Sequence, residues 1–182
     1  PCPRESFDVL TCAARWRRQA ATRPLQDELD HMAMLSFNAR VDLAMARVLA
    51  DYPDAALLEA EGKASAGLIE HPSAIDHLRV VFRCKDLLVV VEETGYGEFG
   101  PPLEVDAQRS DMPLRWPVEM DLPEADRLKE QFGYDQPYSR VALRVPQGVR
   151  WANASFVFGG NPKYADVIVD TVTGAVRAGV RA

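Results

Sequence analysis

The stretch that decides the fold is Tyr164–Arg177, YADVIVDTVTGAVR. The apolar run Val167–Val169 meets Asp170, and Thr171-Val172-Thr173-Gly174 separates it from a second short run, Ala175-Val176. That order predicts strand, turn, strand. An aspartate side chain can accept hydrogen bonds from the turn amides that follow it, and glycine reaches positive φ without a Cβ clash. Asp170 and Gly174 are therefore read as turn-forming residues. An imperfect echo stands at Leu87–Gly95, LLVVVEETG.

Around that stretch, strands are expected at Ser139–Val145, Ala154–Phe158, Tyr164–Asp170 and Ala175–Ala178. They follow a helix over Pro123–Phe132, capped by Asp121 and closed by Gly133, with Ala125, Leu128, Lys129 and Phe132 along it. Upstream, Ile75–Arg83 and Leu87–Thr94 read as valine-rich strands joined by the turn Cys84-Lys85-Asp86. Leu87–Val91 is apolar on successive residues, the mark of a strand covered on both faces. Ala55–Ala60 and Lys63–Leu68 flank Glu61-Gly62 and suggest a short hairpin. Before them, Val41, Met45, Val48, Leu49 and Tyr52 share one helical face, with Asn38 as cap and Pro53 as stop. Gly95–Gln108 reads as a loop, and the alternation of Leu114, Trp116 and Val118 suggests an edge strand.

The expected class is α+β, with helices packed on antiparallel sheet in two helix-plus-hairpin halves. A helical lead-in covers 1–38, a first half 39–108 and a second half 109–182. The argument for two halves is shared order. Val80-Val81-Phe82 and Phe156-Val157-Phe158 each follow a helix and a weaker strand, and each precedes an apolar run ending in an acid and Thr-Gly.

Composition narrows the function. The chain has 182 residues, 47% of them hydrophobic and 26% charged, which is average for a globular protein. A net charge of −6 argues against broad nucleic-acid or anionic-membrane binding. Arg15, Arg17, Arg18 and Arg23 crowd the start and read as the solvated face of a helix. No apolar run approaches the roughly 20 residues that span a bilayer. No secretory signal is visible, which favours the cytoplasm; a removed leader would allow a periplasmic or secreted protein. Cys2, Cys12 and Cys84 form neither an even disulfide framework nor a zinc spacing, so their pairing stays open.

The ending Val169-Asp170-Thr171-Val172-Thr173-Gly174-Ala175-Val176 resembles the V-D-x-x-T-G-x-V close of PepSY-type domains, and residues 121–178 have a similar order of elements. The first half resembles that family less: Glu92 stands for the aspartate, the turn is one residue shorter, and Gly97 takes the place of a valine. The resemblance implies a helix packed on antiparallel strands and a binding or inhibitory role. It implies no catalytic residue.

The remaining chemistry is sparse. Gly95-Tyr96-Gly97-Glu98-Phe99-Gly100 matches G-x-G-x-x-G, but Pro101-Pro102 follow where a dinucleotide fold needs a helix. Tyr96, Glu98 and Phe99 are instead candidate partner contacts on an aromatic loop, as are Trp116 and Trp151 near strand ends. His31, His71 and His77 lack any paired ligand spacing, so neither metal nor cofactor is expected. An enzyme of unrecognised type would need Glu92, Glu93, His71 and His77 to converge. The preferred expectation is a non-enzymatic binding or inhibitory protein for a protein or peptide partner. The alternatives are an immunity protein against a bacterial toxin and a small-molecule binder with a pocket between helix and sheet.

Overall fold

The computed structural model describes residues 35–106, 111–146 and 153–179. The 1–38 lead-in, apart from its last residues, lies outside them, as do Cys2, Cys12, His31 and Trp151. The first described helix, α1, spans Phe37–Leu49. Ser36 caps it, accepting from the Ala39 amide at 3.2 Å. The cap is thus two residues ahead of the expected Asn38, whose side chain donates to the Val118 and Met120 carbonyls at 3.3 and 3.1 Å. Phe37, Val41, Ala44 and Val48 are buried at helical spacing, and Arg40 is buried among them.

The strand β1, Ala56–Lys63, overturns the expected hairpin at Glu61-Gly62. It runs through that glycine without turning. A Cβ on Gly62 would lie 2.7 Å from Ile75 Cγ2 and 3.2 Å from Phe37 and Val141, so crowding from distant residues explains the glycine. The strands β2, His77–Cys84, and β3, Leu87–Gly95, follow as a hairpin, with Lys85 at φ 55 in its turn. Leu88–Val91 are all buried. The region read as one loop over 95–108 contains two short strands, β4 (Glu98–Phe99) and β5 (Leu103–Val105), both paired with β3.

The second helix, α2, spans Leu122–Gln131, and Asp121 accepts from the Leu122 amide at 2.7 Å. Gly133 lies just past it at φ 84. Its buried face is Leu122, Ala125, Asp126 and Lys129, while Phe132 is 60% exposed. Phe132 therefore does not continue the core face: the helix has ended, and the chain turns at Gly133. The strands β6 (Arg140–Arg144), β7 (Ser155–Gly159), β8 (Val167–Asp170) and β9 (Val176–Ala178) complete the chain.

The fold is α+β and mostly sheet. Among the described residues, nine strands form one antiparallel sheet in the order β4-β3-β2-β1-β6-β7-β8-β9, with β5 also beside β3. α1 thus precedes the run β1–β4, and α2 precedes β6–β9. The two runs meet through β1 and β6, where Glu59 faces Arg144 and Lys63 faces Arg140. Residues of both helices share one core with Leu78, Val80, Phe82, Val89, Val91, Leu143, Phe156 and Val169. Phe37 meets Phe156 edge-on at 5.6 Å. Residues of the opposite parity in β2 and β3 form a separate small cluster, Val81, Leu88 and Val90, with Leu58.

Candidate functional site

The segment Met112–Met120 carries alternating residues but is no strand. Pro113 and Pro117 lack the amide a ladder needs, and other bonds hold the segment in place. The Leu114 amide donates to the Leu57 carbonyl at 2.8 Å. Trp116 Nε1 donates to Asp42 Oδ1 on α1 at 2.7 Å, and Asn38 holds the Val118 and Met120 carbonyls. Leu114 is buried, and Trp116 and Val118 pack against the core. Pro113, Arg115, Pro117 and Glu119 are left outward.

Facing that rail are Val145 just past β6, the entry to β7 at Asn153 and Ala154, and the β8–β9 turn at Thr171 and Val172. Between them lies an open groove of about 700 Å³. Its apolar lining comes from Val145, Ala154, Val172 and Val118, with Arg115 and Glu119 contributing one charge of each sign. The turn wall is well fixed. Asp170 Oδ1 accepts from the Val172 and Thr173 amides at 2.9 and 2.8 Å, and the Gly174 amide reaches the Asp170 carbonyl at 3.0 Å. Gly174 sits at φ 67, where a Cβ would strain the backbone. Asn153 Nδ2 donates to both Asp170 carboxylate oxygens at 3.2 and 3.1 Å. Burial pushes the Asp170 carboxyl up, but the Thr173 and Val172 amides and Asn153 outweigh it and hold it below its ordinary value. The Thr171 amide and hydroxyl both bond the Ala154 carbonyl, at 3.0 and 2.8 Å. Val172 consequently stands 75% exposed at the rim.

The glycine-rich stretch forms a different structure. Gly95 pairs with Glu98 across a tight turn at Tyr96-Gly97, with Gly97 at φ 77. The turn rests on a buried ion pair. Arg40 Nε donates to Glu93 Oε1 at 2.9 Å, Arg40 Nη2 meets Glu93 Oε2, and Arg40 Nη1 reaches the Ile75 carbonyl at 3.0 Å. The Gly97 amide donates to Glu93 Oε1 at 2.6 Å, and the Tyr96 ring covers the guanidinium at 4.8 Å. Phe99 packs against the core, and Glu98 is exposed. Tyr96 and Phe99 are thus engaged with α1 and the core on their inner sides.

A second buried polar cluster lies under α2. Lys129 is 1% exposed, and its ammonium donates to the Tyr134 carbonyl at 3.0 Å and lies 3.3 Å from Asp126 Oδ1. The Tyr138 and Phe158 rings flank it at 5.2 and 5.6 Å. Burial raises the Asp126 carboxyl against the pull of Lys129, and burial beside Asp126 raises the Tyr138 phenol. The adjoining cavity of about 10 Å³ has room for about one water.

The four groups an unrecognised active site would need do not converge. Glu93 faces the helices, whereas its neighbour Glu92 points to the other side and lies 3.4 Å from Arg79. His71 is exposed before the short 3₁₀ turn Pro72–Ala74, and His77 begins β2 opposite Lys63. Sequence reading missed both buried cations, and it missed the groove. Among the described residues no helix is long and apolar enough to cross a membrane. In comparison with known proteins, no family model, no curated protein and no solved structure matches this chain.

Proposed function

We propose that this is a binding protein, without catalysis of its own, whose groove beside the β8–β9 turn holds a protein or peptide partner. The groove carries the reading. It combines about 700 Å³ of open space, within the usual range for ligand sites, with an apolar wall ending in the exposed Val172. Val172 stands on a turn fixed by Asp170, Asn153 and Gly174 and lines the groove together with Val145 and Ala154. The known polar clusters, by contrast, are consumed in packing: Arg40 with Glu93, and Lys129 with Asp126. An immunity protein that occludes a toxin is one form of this reading.

The scaffold reading belongs with it. We take the chain as two PepSY-like halves, each a helix laid on a meander. The support is the palindromic strand order about β1 and β6, with one helix before each run. Affinity capture from the source cells, with chemical cross-linking, tests the function. Wild-type chain is expected to retain a partner that the Val172→Asp variant loses. Equal retention by both would remove the groove from the account, and no retention above a control resin would remove the function.

A further inference from the structure

Resting on the two-half reading, we infer that the join of β1 with β6 is an interface of two-fold kind, closed within one chain, which a second copy of the chain can close in trans by exchanging halves. The register carries this. Ala60 of β1 pairs directly with Leu143 of β6. Outward on one side, Ala60 pairs with Val80 and Val80 with Val91. Outward on the other, Leu143 pairs with Phe156 and Phe156 with Val169. All six are 0% exposed and belong to one core. The helices repeat the arrangement. Each begins on a buried apolar residue next to its cap, Phe37 after Ser36 and Leu122 after Asp121. The two starts meet where the Asn38 amide donates to Asp121 Oδ1 at 3.2 Å.

In an interface of this kind each side offers the same pattern to the other, so the contacts do not depend on which copy supplies which half. The chain crosses from one run of strands to the other once, between β5 and α2. Exchange therefore breaks the β1–β6 pairs and remakes the same pairs with the partner. The tether favours closure within one chain, since it holds the halves at an effective concentration of about a millimolar. The second copy enters when closure in cis is weakened at the seam and closure in trans is not.

Two substitutions create that imbalance. Ala60→Leu crowds the seam against Leu143, and Leu143→Ala leaves a void beside Ala60. When these two variants exchange halves, one seam sets the larger side chain against the smaller, and the other recovers the wild-type pair. The full-length variants, one labelled with nitrogen-15, are unfolded in urea, mixed in equal amounts, refolded and weighed by native mass spectrometry. The mixture is expected to give a 1:1 dimer at twice the monomer mass, while wild type and each variant alone give monomer. Where either variant fails to refold alone, Glu61→Arg and Arg140→Glu pose the same question on the other face of the seam, where Arg140 Nε lies 3.8 Å from Glu61 Oε1. A mixture that yields only monomers, or a dimer that one variant forms as readily by itself, would overturn the inference. The chain carrying both Ala60→Leu and Leu143→Ala separates exchange from the reading beneath it. If it regains the melting temperature that the single variants lose while the mixture stays monomeric, exchange is refuted and the two-half reading stands. If it does not, Ala60 and Leu143 are not the facing pair of a two-fold seam, and both fall.

Discussion

The Arg40–Glu93 pair offers the sharpest test of how the fold is held. Arg40 and Glu93 are 3% and 6% exposed, and the pair joins α1 to β3 and the β3–β4 turn. Glu93→Ala would leave a guanidinium in the core with only the Ile75 carbonyl and the Tyr96 ring against it, and would free the Gly97 amide. Stranding one member of such a pair costs about 3–5 kcal/mol. A domain of this size has roughly 5–15 kcal/mol in total, so the single variant should lose about a fifth of its stability or more. Arg40→Met alone should cost a similar amount, because the Glu93 carboxylate then keeps only the Gly97 amide.

The double variant Arg40→Met, Glu93→Leu removes both charges together and fills their space with apolar atoms. It should recover to within about 2 kcal/mol of wild type, since the cost of desolvating the ions disappears with them. Urea unfolding of the four proteins, followed by circular dichroism, gives the coupling from one thermodynamic cycle. If each single variant costs under about 1 kcal/mol, the pair is wet and the burial argument is wrong. Simple additivity of the two singles would equally refute it.

Three further outcomes follow from the geometry. Asp126→Asn imitates the protonated carboxyl but leaves the buried Lys129 ammonium without its counter-ion, so its readout is the shape of the pH–stability curve rather than the stability at neutral pH. Because the folded-state pKa is raised, wild-type Asp126 destabilises when ionised and recovers as pH falls through that raised value, a rise the variant's pH–stability curve should lack. Asp170→Ala should cost about 1–2 kcal/mol at neutral pH through the lost turn bonds. Here the folded pKa is lowered, so the contribution is present above the unfolded value, and the gap between variant and wild type should close as pH falls through the folded one. Gly62→Ala should cost about 1–3 kcal/mol in thermal or urea melts, because Ile75 and Phe37 must give way.

What the sequence disclosed was local. The successive apolar residues of β3, the Asp121 start of α2 and the strand–turn–strand order of 164–177 each rest on neighbours within a few positions. The mistaken hairpin at Glu61-Gly62 has a distant cause, since Ile75, Phe37 and Val141 explain that glycine. The buried cations did leave a signal. Arg40 falls three residues after Phe37 and four before Ala44, on the apolar stripe of α1. Glu93 likewise continues the inward alternation of Val89 and Val91. A charge on a core-facing stripe predicts a buried partner, though not which one. The groove left no comparable trace, because its walls come from three separate parts of the chain.

The two turns that follow β3 and β8 differ in what they leave exposed. Both are served by a carboxylate near the strand end, but the carboxylates face opposite ways. Glu93 shares the inward parity of Val89 and Val91, so when it takes the Gly97 amide it draws the turn down onto Arg40, and Tyr96 closes over the guanidinium. Asp170 has the outward parity, alternating with the buried Val167 and Val169. It holds the Val172 and Thr173 amides from outside, so the turn is equally fixed but stands away from the core, and Val172 is left in solvent. One residue of register in the capping acid therefore separates a turn spent on packing from a turn free to form a wall.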